Sequence, residues 1–336
     1  MVKKKLKQIL GNQTLTIIMN KSHKHAVVVV LMYHDLCDDD DFRSWLRVKK
    51  SSFEFQIRKL LELGQFIQPS DLFQKDTLRK DTLNFLVTFD DGFVNNYKLA
   101  LPVLKKFQIP ALFFISTGHT LSGEPFWFDW IISSIQIYKI TSLDLRYLGL
   151  RDYRFFPSEG LKRWNDIQTL LVDIKTKGNA TDPEIKRVIS FFRKNFPDVR
   201  EEIILKYRPL VENEICRMQS SGLCHFGSHS HRHEILTYLT AKDLRMNLVE
   251  SKKFLEKLLG QPVIHFAYPN GDTNSCVTRC CRQNGYQFGY LAASGLVNKH
   301  AHPMYIPRIS VSGYDSIKSL LWKINREIIK GTIMLK

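Results

Sequence analysis

The sequence predicts an α/β protein whose parallel strands curl into a closed or nearly closed barrel, interrupted by a helical insertion. Short apolar runs of strand length alternate with segments of helical periodicity, and these strand-then-helix units recur seven or eight times. The alternation lapses between about residues 119 and 215. Parallel strands need crossover connections, and seven or eight such units approach closure. At 336 residues, 44% hydrophobic, the chain holds enough apolar material for a large core, which excludes disorder as its main state.

The first strand is AVVVVLMY, residues 26–33. It is far shorter than the roughly 20 apolar residues of a membrane span. SSFEFQIRKLLELG follows as a helix, with a capping box from Ser51 to Glu54 and Gly64 as its stop. The run NFLVTF, 84–89, is a buried strand ending in Asp90-Asp91-Gly92. NNYKLALPVLKKF is then a helix that Pro102 kinks or confines to its first turn, and ALFFIST, 111–117, is the next strand. Within 119–215, LKRWNDIQTLLVDIKTK and PEIKRVISFFRKNF are amphipathic and helical. The alternation resumes with a strand at 223–228 and a helix at 241–259 between a Thr240 cap and Gly260. Strands at 263–269, 288–294 and 305–311, a short helix after the first of them and a last helix, DSIKSLLWKINREIIKG, complete the chain.

This divides the chain into a basic arm, 1–25, and a barrel domain, 26–336, carrying the insertion. With 49 Lys+Arg against 33 Asp+Glu, the net charge of +16 suits anionic surroundings. Lys3, Lys4, Lys5, Lys7, Lys21 and Lys24 precede the first acidic residue, Asp35, and fit an arm resting on an anionic membrane surface. No signal-peptide pattern follows the basic start, so a cytoplasmic location is expected. No nucleic-acid-reading motif accompanies the charge, and no nucleic acid partner is expected. The six cysteines form no CxxC pair and are expected to be free thiols.

In such folds chemistry gathers at the C-terminal ends of the strands, where three polar clusters fall. TFDDGF, Thr88 to Phe93, sets two carboxylates side by side, a costly pairing unless a cation or proton offsets it; a plain Asp-Asp-Gly turn fits equally. HFGSHSHRH, 225–233, holds four of the chain's 11 histidines. His229 and His233, four apart, suit one tight turn around a metal. His225 shares that spacing with His229, but in a strand four residues span about 13 Å, too far for one ion. FAYPNGD, Phe266 to Asp272, is by itself an ordinary strand-to-loop junction.

In this order, TFDDGF, then His229-Ser230-His231-Arg232-His233, then FAYPNG, the chain resembles the polysaccharide deacetylase family, the NodB-type homology domain of carbohydrate esterase family 4. LMYHDL, 31–36, also resembles the start of that family's barrel. The resemblance implies a distorted (β/α)7 barrel and removal of N-acetyl groups from a glycan or glycolipid precursor. It implies Asp91, His229 and His233 as metal ligands and Asp90 as general base, with His225 and His231 uninvolved and Ser230 orienting the loop. The groove would include Tyr268, Pro269, Asn270 and Gly271, with a backbone N–H at Asn270 facing the oxyanion. Two imidazoles and a carboxylate suit zinc, with cobalt, nickel and manganese as alternatives. Two departures stand out. Ala267 occupies the place of a base-orienting arginine, which makes Arg308 a candidate for that task, with a structural salt bridge as an equal reading. A late Leu-x-His is missing, which leaves His34, a water or Asp90 returning its proton as candidate acids, with a purely structural His34 as the other reading. These departures also admit a glycan-binding protein without turnover.

Overall fold

The computed structural model describes residues 11–13, 16, 26–39, 44–74, 76–179, 181–298 and 300–333. The lysines of the basic arm lie outside them. The main sheet contains β1 (Val28–Tyr33), β2 (Gly64–Phe66), β3 (Leu83–Phe89), β4 (Ala111–Ile115), β5 (Cys224–Ser228), β6 (His265–Ala267), β7 (Phe288–Tyr290) and β8 (Ile309–Ser310). Its order is β7-β6-β5-β4-β3-β1-β8, all parallel. β1 pairs along β3 from Asn84 to Phe89, so β2 and β4 share the opposite edge of β3 end to end.

The sheet curls as the sequence predicts, and one segment reaches both of its edges. Ile306 exchanges backbone hydrogen bonds with Gly289 and Leu291 beside β7, and Val311 N donates to Met32 O in β1. The expected strand over 305–311 is reduced to Ile309–Ser310. Pro307 has no N–H to give a ladder, which explains the loss. The strands expected at 263–269 and 288–294 likewise shorten, to His265–Ala267 and Phe288–Tyr290.

The first helix, α1 (Lys50–Leu61), lacks the expected capping box. Ser51 Oγ instead donates to Asp39 Oδ1 at 2.7 Å, and Glu54 pairs with Lys106. Gly64 does not stop this helix; it begins β2, where a Cβ would stand 1.9 Å from Leu83 O. Only glycine lets β2 approach β3 there. Pro102 falls at the start of α2 (Leu101–Phe107), directly after a π-turn over Asn96–Ala100 that absorbs the missing N–H.

Beyond β4 come α3 (Thr117–Ser122), α4 (Trp127–Ile137), α5 (Leu161–Lys175), α6 (Pro183–Asn195), α7 (Val199–Tyr207) and α8 (Glu212–Gln219). The insertion builds its own core from Ile131, Ile135, Trp164, Ile167, Leu170 and Phe192, and Phe93 of the TFDDGF motif is buried in it. A short antiparallel pair, Ser142–Asp144 with Asp152–Arg154, also lies there. Ile215 and Met218 of α8 pack in the barrel core. The remaining crossovers are α9 (Ala241–Leu259), capped by the Thr240 side chain and closed by Gly260 in the left-handed region, and α10 (Ser275–Gln283); α11 (Ile317–Ile333) follows β8. All six cysteines are free, with Cys37, Cys224 and Cys281 buried.

Candidate active site

The site forms where β1, β3, β5 and β6 end. β3 delivers Asp90 and Asp91 into a turn in which Gly92 N donates to Asp90 O at 2.9 Å. Asp91 has φ 72°, a left-handed conformation that costs a non-glycine residue about 1–3 kcal/mol and persists only when its surroundings fix it. Both carboxylates are almost fully buried.

Asp90 is held by Arg308, which donates from Nη1 to Oδ1 at 2.6 Å and from Nη2 to Oδ2 at 2.7 Å. The guanidinium is itself fixed, with Nε on Leu291 O at 2.8 Å and Nη1 on Thr88 Oγ1 at 3.2 Å. Burial pushes the Asp90 carboxyl up, but Arg308 and His229 outweigh it, and the group sits below the usual carboxylate value.

His229 follows β5, with its N–H on Ile115 O at 2.9 Å. The chain then turns through Ser230, φ 67°, and His233, φ 54°, and Ser230 Oγ accepts from His233 N at 3.0 Å. The two imidazole centroids are thereby 5.0 Å apart. His229 Nδ1 meets Ala267 O at 2.8 Å. A carbonyl can only accept, so the proton lies on Nδ1 and the bare Nε2 lone pair of the neutral ring faces Asp91 Oδ1 at 3.4 Å. His233 Nε2 approaches the same oxygen at 3.1 Å.

This donor set fits a divalent ion. A lone pair aimed at a carboxylate oxygen is repelled unless a proton or cation intervenes. Donor atoms bound tetrahedrally at zinc distances of about 2.0–2.1 Å lie about 3.3 Å apart, close to the spacings here. Asp91, His229 and His233 form the one such three-residue group among the described residues, their donor atoms within 4.8 Å of one another. Burial pushes the Asp91 carboxyl up, yet its two histidine partners hold it well below the usual value. Burial lowers His229, but the Asp90 and Asp91 carboxylates outweigh it and raise the imidazole overall. A proton therefore competes for the place of the ion.

The other two histidines of the stretch stand apart from this group. His231 Nδ1 bonds Thr117 Oγ1 at 2.9 Å and its Nε2 lies 3.5 Å from Glu250, while His225 is in β5 and its Nε2 is buried without a hydrogen-bond partner. His34, one residue past β1, lines the same pocket as Asp90 and Asp91, and its buried Nδ1 has no hydrogen-bond partner. Burial lowers its pKa.

Tyr268, Asn270 and Gly271 line the pocket, while Pro269 opens a short 3-10 turn between them and is buried. The Tyr268 hydroxyl is turned into structure, donating to Met304 O at 3.1 Å. Asn270, φ 59°, accepts on Oδ1 from Lys175 Nζ at 2.8 Å. Burial lowers the pKa of Lys175.

Trp45 and a wall from the insertion, Phe128, Trp164, Gln168 and Lys175, complete the pocket. Sequence reasoning missed this wall, although Trp164, Gln168, Leu171 and Lys175 recur at helical spacing along α5. A stripe mixing aromatic, amide and ammonium groups was its available signal. From the same insertion, Phe126 and Phe128 pack on His233 with centroids 5.4 and 5.6 Å away.

The chain is similar to several known proteins. The family model for polysaccharide deacetylase matches residues 79–134 and 185–289. The Bacillus subtilis protein YxkH, named as a polysaccharide deacetylase, is 34% identical over 122 residues, 34% of this chain and 42% of that protein. The poly-beta-1,6-N-acetyl-D-glucosamine N-deacetylase of Staphylococcus epidermidis is 25% identical over 191 residues, 55% of this chain and 58% of its own. The chain thus spans about half the length of these curated relatives. The fold is similar to that of the Streptococcus pyogenes deacetylase PplD, solved with acetate, at TM-score 0.58 and 17% identity over 89% of this chain and 99% of that one. IcaB from Ammonifex degensii aligns at TM-score 0.56 and 19% identity, over 89% and 97% of the two chains. With its motifs at the ends of these strands, the chain belongs to the polysaccharide deacetylase family.

Proposed function

We propose that the protein is a metal-dependent hydrolase that removes N-acetyl groups from an N-acetylhexosamine-containing glycan or glycolipid precursor. The carrying observation is one buried carboxylate converged on two imidazoles beside a second carboxylate clamped by arginine. The activity printed for the S. epidermidis relative supports the choice of an acetamido sugar.

Asp91, His229 and His233 would hold the ion, zinc first, with cobalt, nickel and manganese as alternatives. When bound, a divalent ion polarises the acetyl carbonyl and lowers the pKa of a coordinated water. Asp90, ionised and aimed by Arg308, accepts the proton of the attacking water. His34 donates a proton to the leaving amine, and the Asn270 backbone N–H faces the carbonyl oxygen as it gains charge. The Arg308 clamp on Asp90 and the position of His34 in the same pocket support turnover over a glycan binder without it.

The basic arm suits an anionic membrane surface, and a cytoplasmic site of action remains part of this reading. Among the described residues, no helix is long and apolar enough to cross a membrane.

The test is acetate release from N-acetylhexosamine oligomers with added zinc, cobalt or nickel, beside Asp90→Asn and His34→Gln. Asp90→Asn should keep the ion and release no acetate. His34→Gln should lose roughly 100-fold or more on amides and far less on an activated aryl acetate, whose leaving group needs no proton. Full activity after metal removal would refute the proposal.

A further inference from the structure

We infer that Asn179 and Thr181, in the turn after α5, are positioning residues for the loop that carries His233. This inference rests on the metal site proposed above. Both residues fall between the segments matched by the family model, 79–134 and 185–289. The insertion thus adds to the histidine loop a support that those segments do not contain.

The contacts are specific. Asn179, 5% exposed, accepts on Oδ1 from Ile235 N at 2.7 Å and donates from Nδ2 to Ile235 O at 3.3 Å, pinning both backbone groups of one residue. Thr181 Oγ1 donates to Glu234 Oε1 at 2.8 Å, and Asn247 Nδ2 of α9 donates to Glu234 Oε2 at 2.9 Å. Asn247 Oδ1 in turn accepts from His231 N at 2.6 Å. The backbone on both sides of His233 is therefore fastened, at His231 and at Ile235, by groups from two other elements.

The loop needs such fastening. Ser230 and His233 both hold left-handed φ, a conformation retained only where surrounding contacts over-determine it. Glu234 is 6% exposed, and a buried carboxylate without its full set of donors is costly. Thr181 and Asn247 each occupy one of its oxygens. The turn is itself fixed, because Asn179 N donates to Asp182 Oδ2 at 2.6 Å. Removing Thr181 Oγ1 leaves Glu234 Oε1 unpaired and frees it to pull the His233 backbone out of register.

The experiment compares Asn179→Ala, Thr181→Val and Thr181→Ser with the wild type in the full chain. The readouts are zinc affinity by competition with a chelating dye, the visible spectrum of the cobalt-loaded protein and thermal unfolding. Contacts that orient metal ligands are worth roughly 10-fold to 100-fold in affinity. Asn179→Ala and Thr181→Val should lose that much and alter the cobalt spectrum, and Thr181→Ser should restore both. Thr181→Val is nearly isosteric, so it reports even if Asn179→Ala fails to fold. Unchanged zinc affinity and cobalt spectrum in Thr181→Val would overturn the inference, whatever happened to stability. Wild-type protein that binds no zinc would instead overturn the metal-site reading, and this inference with it.

Discussion

Arg308 and Asp90, 218 residues apart in sequence, form a fully buried two-bond ion pair at 2.6 and 2.7 Å. The pair joins the segment that reaches both sheet edges to the end of β3. A carboxylate held by two parallel N–H bonds keeps one orientation, and it stays ionised without surrendering its role to a ligand position.

Arg308→Lys should therefore lower kcat while leaving zinc content and KM nearly unchanged, since a single ammonium cannot reproduce the fork. Arg308→Met should in addition destabilise the fold by about 3–5 kcal/mol, because Asp90 is left buried and uncompensated. Steady-state kinetics with denaturant unfolding measures both. Wild-type kcat in Arg308→Lys would show that the pair is structural only.

The histidines of the 225–233 stretch separate into two classes. His229→Ala and His233→Ala should abolish stoichiometric metal, measured by elemental analysis of dialysed protein. His225→Ala and His231→Ala should retain it, since His225 lies within β5 and His231 bonds Thr117 instead. Loss of metal in His225→Ala or His231→Ala would sink the assignment of the ligand set.

Much of this was readable before the structure. Continuous apolar runs located the strands because both faces of a parallel sheet are covered, so Val28–Tyr33 and Leu83–Phe89 are buried throughout. The Thr240 cap and Gly260 stop act locally and were legible for that reason. Ser51 was not, because its hydroxyl is claimed by Asp39, a contact that helix periodicity does not encode. At the site, spacing alone left several histidine pairs open, and the strand before Gly227 together with the upstream Asp-Asp pair singled out His229 and His233, whereas Lys175 and Gln168 arrive from an insertion whose placement depends on tertiary packing.

Within the insertion, Asp129 of α4 is fully buried and bonded to Arg47 at 2.7 Å, with Asp35 on the same guanidinium at 3.6 Å. Burial pushes the Asp129 carboxyl up to about 7 despite Arg47. Its folded pKa then exceeds the ordinary value of about 3.9, so the folded state binds the extra proton and stability from this group falls as pH rises from about 4 to 7. Asp129→Asn removes that slope. Unfolding free energies measured across this range should show wild type losing stability relative to Asp129→Asn up to about pH 7, with no further change above it. A difference independent of pH would refute the assignment.

Lys175 joins the insertion to the FAYPNGD turn through Asn270, at the pocket wall. Its Nζ donates to Asn270 Oδ1 at 2.8 Å, so under the proposed function it would meet sugar hydroxyls or hold the turn bearing the Asn270 N–H. Lys175→Met keeps the stem that packs along the wall and removes the charged donor. It should leave zinc affinity at the wild-type level and raise KM for N-acetylhexosamine oligomers roughly tenfold or more, about 1.5–3 kcal/mol of lost binding for one charge-assisted hydrogen bond. Kinetics on oligomers and on a small aryl acetate separates the roles. A raised KM confined to oligomers identifies Lys175 with the sugar, an equal fall in kcat on both substrates identifies it with the turn, and wild-type kinetics on both would remove it from the site.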